Sequence, residues 1–175
     1  MKEIAERDML YLKKANLEDR EKEYEFFAGL PENENGFINP YAGVSQEEFF
    51  RVVLPDIIGY GEGIGLPPGY VPETSYFLWD DDHIVGLFRL RHALTNSLRN
   101  GAGHIGYAIK KGCRGKGYAT RGLALVIEEA KAVLKEQEIY LSVQKDNPAS
   151  LQVQLRNGAY VHHSDELQYF TRIKR

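Results

Sequence analysis

Residues 104–132, HIGYAIKKGCRGKGYATRGLALVIEEAKA, decide how this chain folds. Ile105, Tyr107 and Ile109 alternate with His104, Gly106 and Ala108, the two-residue period of a β-strand. Ala119, Leu123, Val126, Ala130 and Val133 recur at three- and four-residue spacing, which predicts a helix with one buried stripe. Between them lies Gly112-Cys113-Arg114-Gly115-Lys116-Gly117-Tyr118-Ala119. A glycine-rich turn that opens a helix leaves backbone N–H groups free at the positive end of the helix dipole, a ready site for phosphate or pyrophosphate. The same glycines would also serve a plain strand-to-helix connection, so this stretch alone leaves both readings open.

The surrounding composition narrows the function classes. A chain of 175 residues fits one domain, 1–175, able to bury a core without disulfides or metals. Hydrophobic and charged fractions of 43% and 27% are those of an ordinary globular protein. A net charge of −3 argues against nucleic acid as partner, although Lys110, Lys111, Arg114, Lys116 and Arg121 cluster around the glycine turn. The lone Cys113 excludes an intrachain disulfide and a cysteine-based zinc site, and no metal is expected. No run reaches a membrane span, and MKEIAERDML lacks the apolar core of a signal peptide, so a cytoplasmic location is expected.

Working outward, residues 8–15 suggest a first strand with Leu10 and Leu12 inward. Asn16 is expected to cap a helix that buries Leu17, Tyr24, Phe27 and Leu30 before Pro31 stops it. Residues 31–44 have loop composition. Ser45-Gln46-Glu47-Glu48 is a capping box that should open a helix carrying Phe49, Phe50 and Val53 as far as Pro55. Residues 56–72 hold five glycines and three prolines and are expected to be irregular. Thr74–Trp79 and Ile84–Leu90 pair as strands around a turn at Asp80–His83, and Asn96–Gly103 is a further turn. Ile139–Val143 is a strand, Asn147-Pro148 opens a short helix ending at Asn157-Gly158, and Tyr160–His163 with Leu167–Ile173 form a closing hairpin. The order β-α-α-β-β-β-α-β-α-β-β implies an α+β fold with a mixed sheet and helices packed on it.

Two blocks carry a family resemblance. Arg114-Gly115-Lys116-Gly117-Tyr118-Ala119 is similar to the Arg/Gln-x-x-Gly-x-Gly/Ala signature of the GNAT N-acetyltransferase superfamily. Asn147-Pro148-Ala149-Ser150, with Gly158 eleven residues after the asparagine, resembles that superfamily's next motif, and the clear resemblance covers roughly residues 71–170. The wording of these blocks further resembles a subgroup of uncharacterised bacterial acetyltransferases. The resemblance implies a central, mostly antiparallel twisted sheet flanked by helices. Residues 71–175 would then be the acetyl-CoA-binding core, and residues 1–70 the helices and loop of the acceptor side. It implies acetyl-CoA as cosubstrate, direct N-acetyl transfer to a small-molecule or peptide amine, and a possible homodimer. Carried over by position, Arg114, Gly115, Lys116, Gly117, Tyr118 and Ala119 would hold the pyrophosphate with help from Thr120. Tyr107, Ala108 and Ile109 would offer backbone groups to the pantetheine arm, and Asn147 and Ser150 would meet the cofactor from the opposite wall.

The expected chemistry needs a proton acceptor for the amine, an oxyanion donor and a proton for the leaving thiolate. Many relatives use a tyrosine seven residues after the second-motif asparagine as acid, but here that position is Gln154. Tyr160 is therefore the candidate acid, and His104, ahead of His92 and Glu73, the candidate base. Gln154 also keeps a second reading in play, a catalytically silent coenzyme A-binding sensor or structural protein. A dinucleotide-binding fold fails because Thr120 stands where a third glycine is required and little chain follows Asp146; a P-loop fails because Tyr118-Ala119 follow Gly117. Cys113 reads as a turn residue, Asp80-Asp81-Asp82 as a hairpin turn, and His162 and His163 as opposite-facing side chains of one strand.

Overall fold

The computed structural model describes residues 9–175. The charged segment before Met9, and with it the first residue of the expected strand over 8–15, lies outside that range. Strand β1 (Leu10–Lys14) is followed by α1 (Arg20–Ala28) and a small hairpin, β2 (Asn33–Glu34) and β3 (Phe37–Ile38). Next come α2 (Gln46–Glu48), a π-helical segment (Phe49–Val53) and α3 (Leu54–Gly61). Strands β4 (Glu73–Asp80) and β5 (His83–Arg91) lead through the short α4 (Asn96–Arg99) into β6 (Ile105–Ile109). After α5 (Tyr118–Val133) come β7 (Glu138–Gln144), α6 (Pro148–Arg156), β8 (Tyr160–Ser164) and β9 (Gln168–Lys174). The main sheet runs β1-β4-β5-β6 and a second runs β7-β9-β8, with every pairing antiparallel.

Strand alternation sends the side chains of β4 and β5 to two different cores. Tyr76, Leu78, Phe88 and Leu90 join Leu123, Val126 and Ala130 of α5 in one apolar cluster. Phe77, Trp79 and Leu87 join Phe26 and Phe27 of α1 with Phe49, Leu54 and Ile57 in the other. Each large side chain so buried contributes roughly 1.5–3 kcal/mol relative to exposure. Val133 is the one member of the expected α5 stripe that remains substantially exposed, at the last residue of the helix.

Local chemistry explains where helices start and stop. The Asn16 carboxamide oxygen accepts from the Asp19 N–H and closes a turn, so α1 begins only at Arg20 and Leu17 is 58% exposed, against expectation. Ser45 accepts from the Glu48 N–H as the capping box requires. The following helix does not stop at Pro55. Leu54 N–H bonds to the Phe49 carbonyl five residues back, and this widened turn carries the chain past a residue with no N–H to give. Helical structure then continues to Gly61, the first part of the stretch expected to be irregular.

The two sheets meet at one point. His104 N–H donates to the Tyr140 carbonyl at 2.7 Å, and Tyr140 N–H donates to His104 Nδ1 at 2.9 Å. Gly103, at φ +68°, lets the backbones approach, since a Cβ there would sit 2.2 Å from the Tyr140 oxygen. Past this junction no ladder joins β6 to β7 among the described residues.

Candidate active-site cleft

A cleft of about 650 Å³ opens where β6 and β7 part, with Ile105–Ile109 on one side and Ser142–Gln144 on the other. β6 pairs only with β5, so alternate backbone groups along its outer edge face the cleft unbonded by any strand. The expected cofactor positions Tyr107, Ala108, Ile109, Arg114, Gly115, Gly117, Tyr118, Ala119, Thr120, Asn147 and Ser150 all line it. Lys116, also expected there, is exposed and does not line it.

At one end lies the glycine turn. Gly115 (φ +78°) and Gly117 (φ +81°) adopt left-handed backbone, and the space where their Cβ atoms would stand is empty to 4 Å. Gly117 is the N-cap of α5 and brings no capping side chain, so the first-turn amides point into the cleft's mouth without a side-chain acceptor. An anion there would satisfy both the amides and the helix dipole. Arg114 folds back, its Nε donating to the Ile109 carbonyl at 3.2 Å and its Nη2 to Glu34 at 2.6 Å. Asn157 Nδ2 donates to the Thr120 carbonyl and ties the end of α6 to the start of α5. This brings Arg156, which sequence reasoning missed, into the cleft wall.

In the middle, the Tyr107 hydroxyl lies 2.7 Å from Ser150 Oγ, spanning from β6 to α6. Asn147 caps α6 by accepting from the Ser150 N–H, which fixes the serine's position. Burial pushes the Tyr107 phenol above its ordinary pKa, so it stays protonated at neutral pH and available as a donor. Gln154 is buried and structural: its Nε2 donates to the Ser142 carbonyl and its Oε1 accepts from Thr171 Oγ1 at 2.6 Å.

Neither expected catalytic residue reaches the cleft. His104 is fully buried at the sheet junction, with Nδ1 accepting from Tyr140 N–H and Nε2 3.4 Å from Glu136 Oε2. Burial lowers its pKa against the opposing pull of Glu136, and its hydrogen bonds with Tyr140 join the start of β6 to β7. Tyr160 sits on β8 with its hydroxyl donating to Glu138, outside the cleft lining. The reserve candidates are also engaged elsewhere. His92 Nε2 is 2.7 Å from Thr74 Oγ1, and Glu73 pairs with Arg91 at 3.2 Å. Cys113 lines the cleft, half-buried. Asp81, at φ +54°, makes the turn between β4 and β5, while Asp80 accepts from the Tyr118 hydroxyl. His162 and His163 do not diverge as simple alternation requires. A bulge between Val161 and His163 brings their Nδ1 atoms to 2.8 Å.

The far end of the cleft holds Arg91 and Ala102, and the β2–β3 hairpin runs along the wall from Glu34, on Arg114, to Phe37 and Ile38, on Arg89. The hairpin was expected to be loop. Its turn residues, Asn35 (φ +51°) and Gly36 (φ +89°), are the asparagine–glycine pair favoured where both central residues need positive φ, a signal legible in the sequence.

No helix among the described residues is long and apolar enough to cross a membrane. No curated protein matches the sequence significantly. Solved structures do match in fold. A crystal structure of a probable acetyltransferase aligns with TM-score 0.68 at 18% identity, covering 95% of this chain and 93% of that one. The ribosomal alpha-N-protein acetyltransferase RimL in complex with coenzyme A aligns with TM-score 0.65 at 18% identity, covering 93% and 92%. A spermidine N-acetyltransferase chimera from Vibrio cholerae and a second source aligns with TM-score 0.61 at 15% identity, covering 94% and 95%. The model of the acetyltransferase (GNAT) domain matches residues 10–160, from β1 through the first residue of β8. The chain belongs to the GNAT acetyltransferase family.

Proposed function

We propose that this chain is an N-acetyltransferase that binds acetyl-CoA in the β6–β7 cleft and passes the acetyl group directly to an amine. The observation that carries the reading is the continuity of the cleft: a free strand edge at β6 runs into uncapped amides at Gly117–Thr120. A pantetheine arm, itself a chain of amides, matches the strand edge, and a pyrophosphate matches the helix N-terminus. Arg156 supplies positive charge at that end, Arg114 adds a guanidinium already shared with Glu34, and Lys116 makes only a more distant contribution.

The thioester then lies near the middle of β6, beside Tyr107 and Ser150. Attack by the amine gives a tetrahedral oxyanion, for which outward-facing N–H groups of β6 are the nearest donors. Collapse expels a thiolate that needs a proton, and the Tyr107–Ser150 hydroxyl pair is positioned to give it. Glu34 is the one carboxylate in the lining among the described residues, and it is held by Arg114. The amine's proton therefore leaves through water.

The test is acetyl-CoA-dependent thiol release with a panel of amines. Release coupled to acetyl-amine formation supports the reading. Saturable coenzyme A binding with no turnover on any amine would favour the silent binder instead.

A further inference from the structure

The far end of the cleft holds more positive charge than the protein compensates. Arg89 and Arg91 sit on one face of β5, and Glu73 on β4 stands between them, 3.2 Å from Arg91 Nε and 4.0 Å from Arg89 Nε. Neither guanidinium pairs with a second carboxylate among the described residues. One negative charge thus faces two positive ones, all three side chains being at least half removed from water.

Arg89 shows the deficit most clearly. Its Nη1 donates to the Ile38 carbonyl at 2.9 Å and its guanidinium lies over the Phe37 ring at 4.3 Å. Its Nη2 is buried with no hydrogen-bond partner. A buried, charged N–H without an acceptor is strongly unfavourable unless something else supplies one. Phe37 and Ile38 both line the cleft, and so does Gly106, directly opposite Arg89 on β6, where the Cβ position is empty. Arg91 lines the cleft itself and spends only Nε and Nη1 on protein, the latter on the Gly103 carbonyl.

We propose that the acceptor amine carries a carboxylate, and that Arg91, backed by Arg89, binds it at the end of β6 remote from the glycine turn. This rests on the acetyltransferase reading given above. The carboxylate would balance the surplus charge, and its two oxygens suit the fork of a guanidinium. A polycationic acceptor meets like charge at the same place and is disfavoured.

The experiment measures thiol release from acetyl-CoA with L-amino acids, the carboxamide of each, and spermidine, using the wild-type chain. The acids should be turned over with kcat/KM about tenfold or more above their carboxamides, the loss expected when a charged hydrogen bond is removed. In Arg91→Gln that preference should collapse through KM, while coenzyme A affinity by calorimetry stays at the wild-type value. Equal use of acids and carboxamides, or preference for spermidine, overturns the proposal and leaves the acetyltransferase reading standing. Absence of acetyl-CoA binding overturns both. The acid-to-carboxamide ratio needs no variant, so misfolding of Arg91→Gln cannot mask the answer.

Discussion

The two ends of the cleft are built on opposite plans. At the glycine-turn end, contiguous chain from Ile105 to Thr120 supplies strand edge, turn and helix start, and the working groups are largely backbone amides. At the Arg91 end, the groups are side chains gathered from β4, β5 and the β2–β3 hairpin, with charge buried among them. The same contrast divides the two cores. The α1 side of the sheet encloses the carboxyl group of Glu23 with Asn39 and Ser75, whereas the buried polar side chains toward α5, Thr74, Gln154 and Thr171, are uncharged. Backbone recognition suits a cosubstrate of fixed structure. Side-chain recognition on a replaceable layer suits an acceptor that differs from one enzyme to the next.

The largest effect should come from filling the backbone site. Gly117→Val places a branched side chain at φ +81° and in the empty space before the first-turn amides. Coenzyme A affinity should fall about a hundredfold or more, read by calorimetry, with helix content by circular dichroism retained. Arg114→Glu and Arg156→Glu should each weaken it less, and Lys116→Glu least, because Lys116 lies outside the lining. A Lys116 effect equal to that of Arg114 would break the assignment of this end.

Between the ends, Tyr107→Phe keeps the ring and removes the hydroxyl that meets Ser150. It should lower kcat by about a hundredfold with coenzyme A affinity little changed, the range of one acid catalyst. An unaltered kcat would leave proton delivery to water.

The buried charge on the α1 side offers a smaller, pH-dependent test. Burial raises the Glu23 carboxyl to about 8 from its ordinary 4.5, so it is protonated in the folded chain and ionised in the unfolded one between those values. Unfolding then releases a proton, and stability contributed by Glu23 is full below pH 4.5 and lost as pH rises through about 8. Glu23→Gln should flatten that decline in denaturant titrations and gain roughly 2–4 kcal/mol at pH 8. Identical pH slopes for the two proteins would show that Glu23 does not stay protonated.

How legible each region was in the sequence follows from the same contrast. Period and spacing are local, so β6, the glycine turn, α5 and the Asn147 cap could be read directly from contiguous residues. The Arg89–Glu73–Arg91 cluster could not, because cross-strand register rather than sequence distance brings it together. Strands of two residues have no readable period, and the hairpin over the cleft was left only its Asn35-Gly36 turn as a signal. His104 looked chemical because histidines titrate near neutrality, yet its place at the sheet junction depends on Tyr140, thirty-six residues away. The His162 and His163 rings converge because of a bulge that alternation does not foresee. Gln154 has no acidic proton by residue type alone; the structure adds what it does, stitching α6 to β7 and β9.

The central claim is that the cleft between β6 and β7 takes coenzyme A with its pyrophosphate on the amides of Gly117–Thr120. Calorimetric titration of the wild-type chain and of Gly117→Val with coenzyme A tests it most directly. The account predicts saturable one-to-one binding by the wild type and its loss, by about a hundredfold or more, in the folded variant. Equal affinity for the two proteins would contradict it.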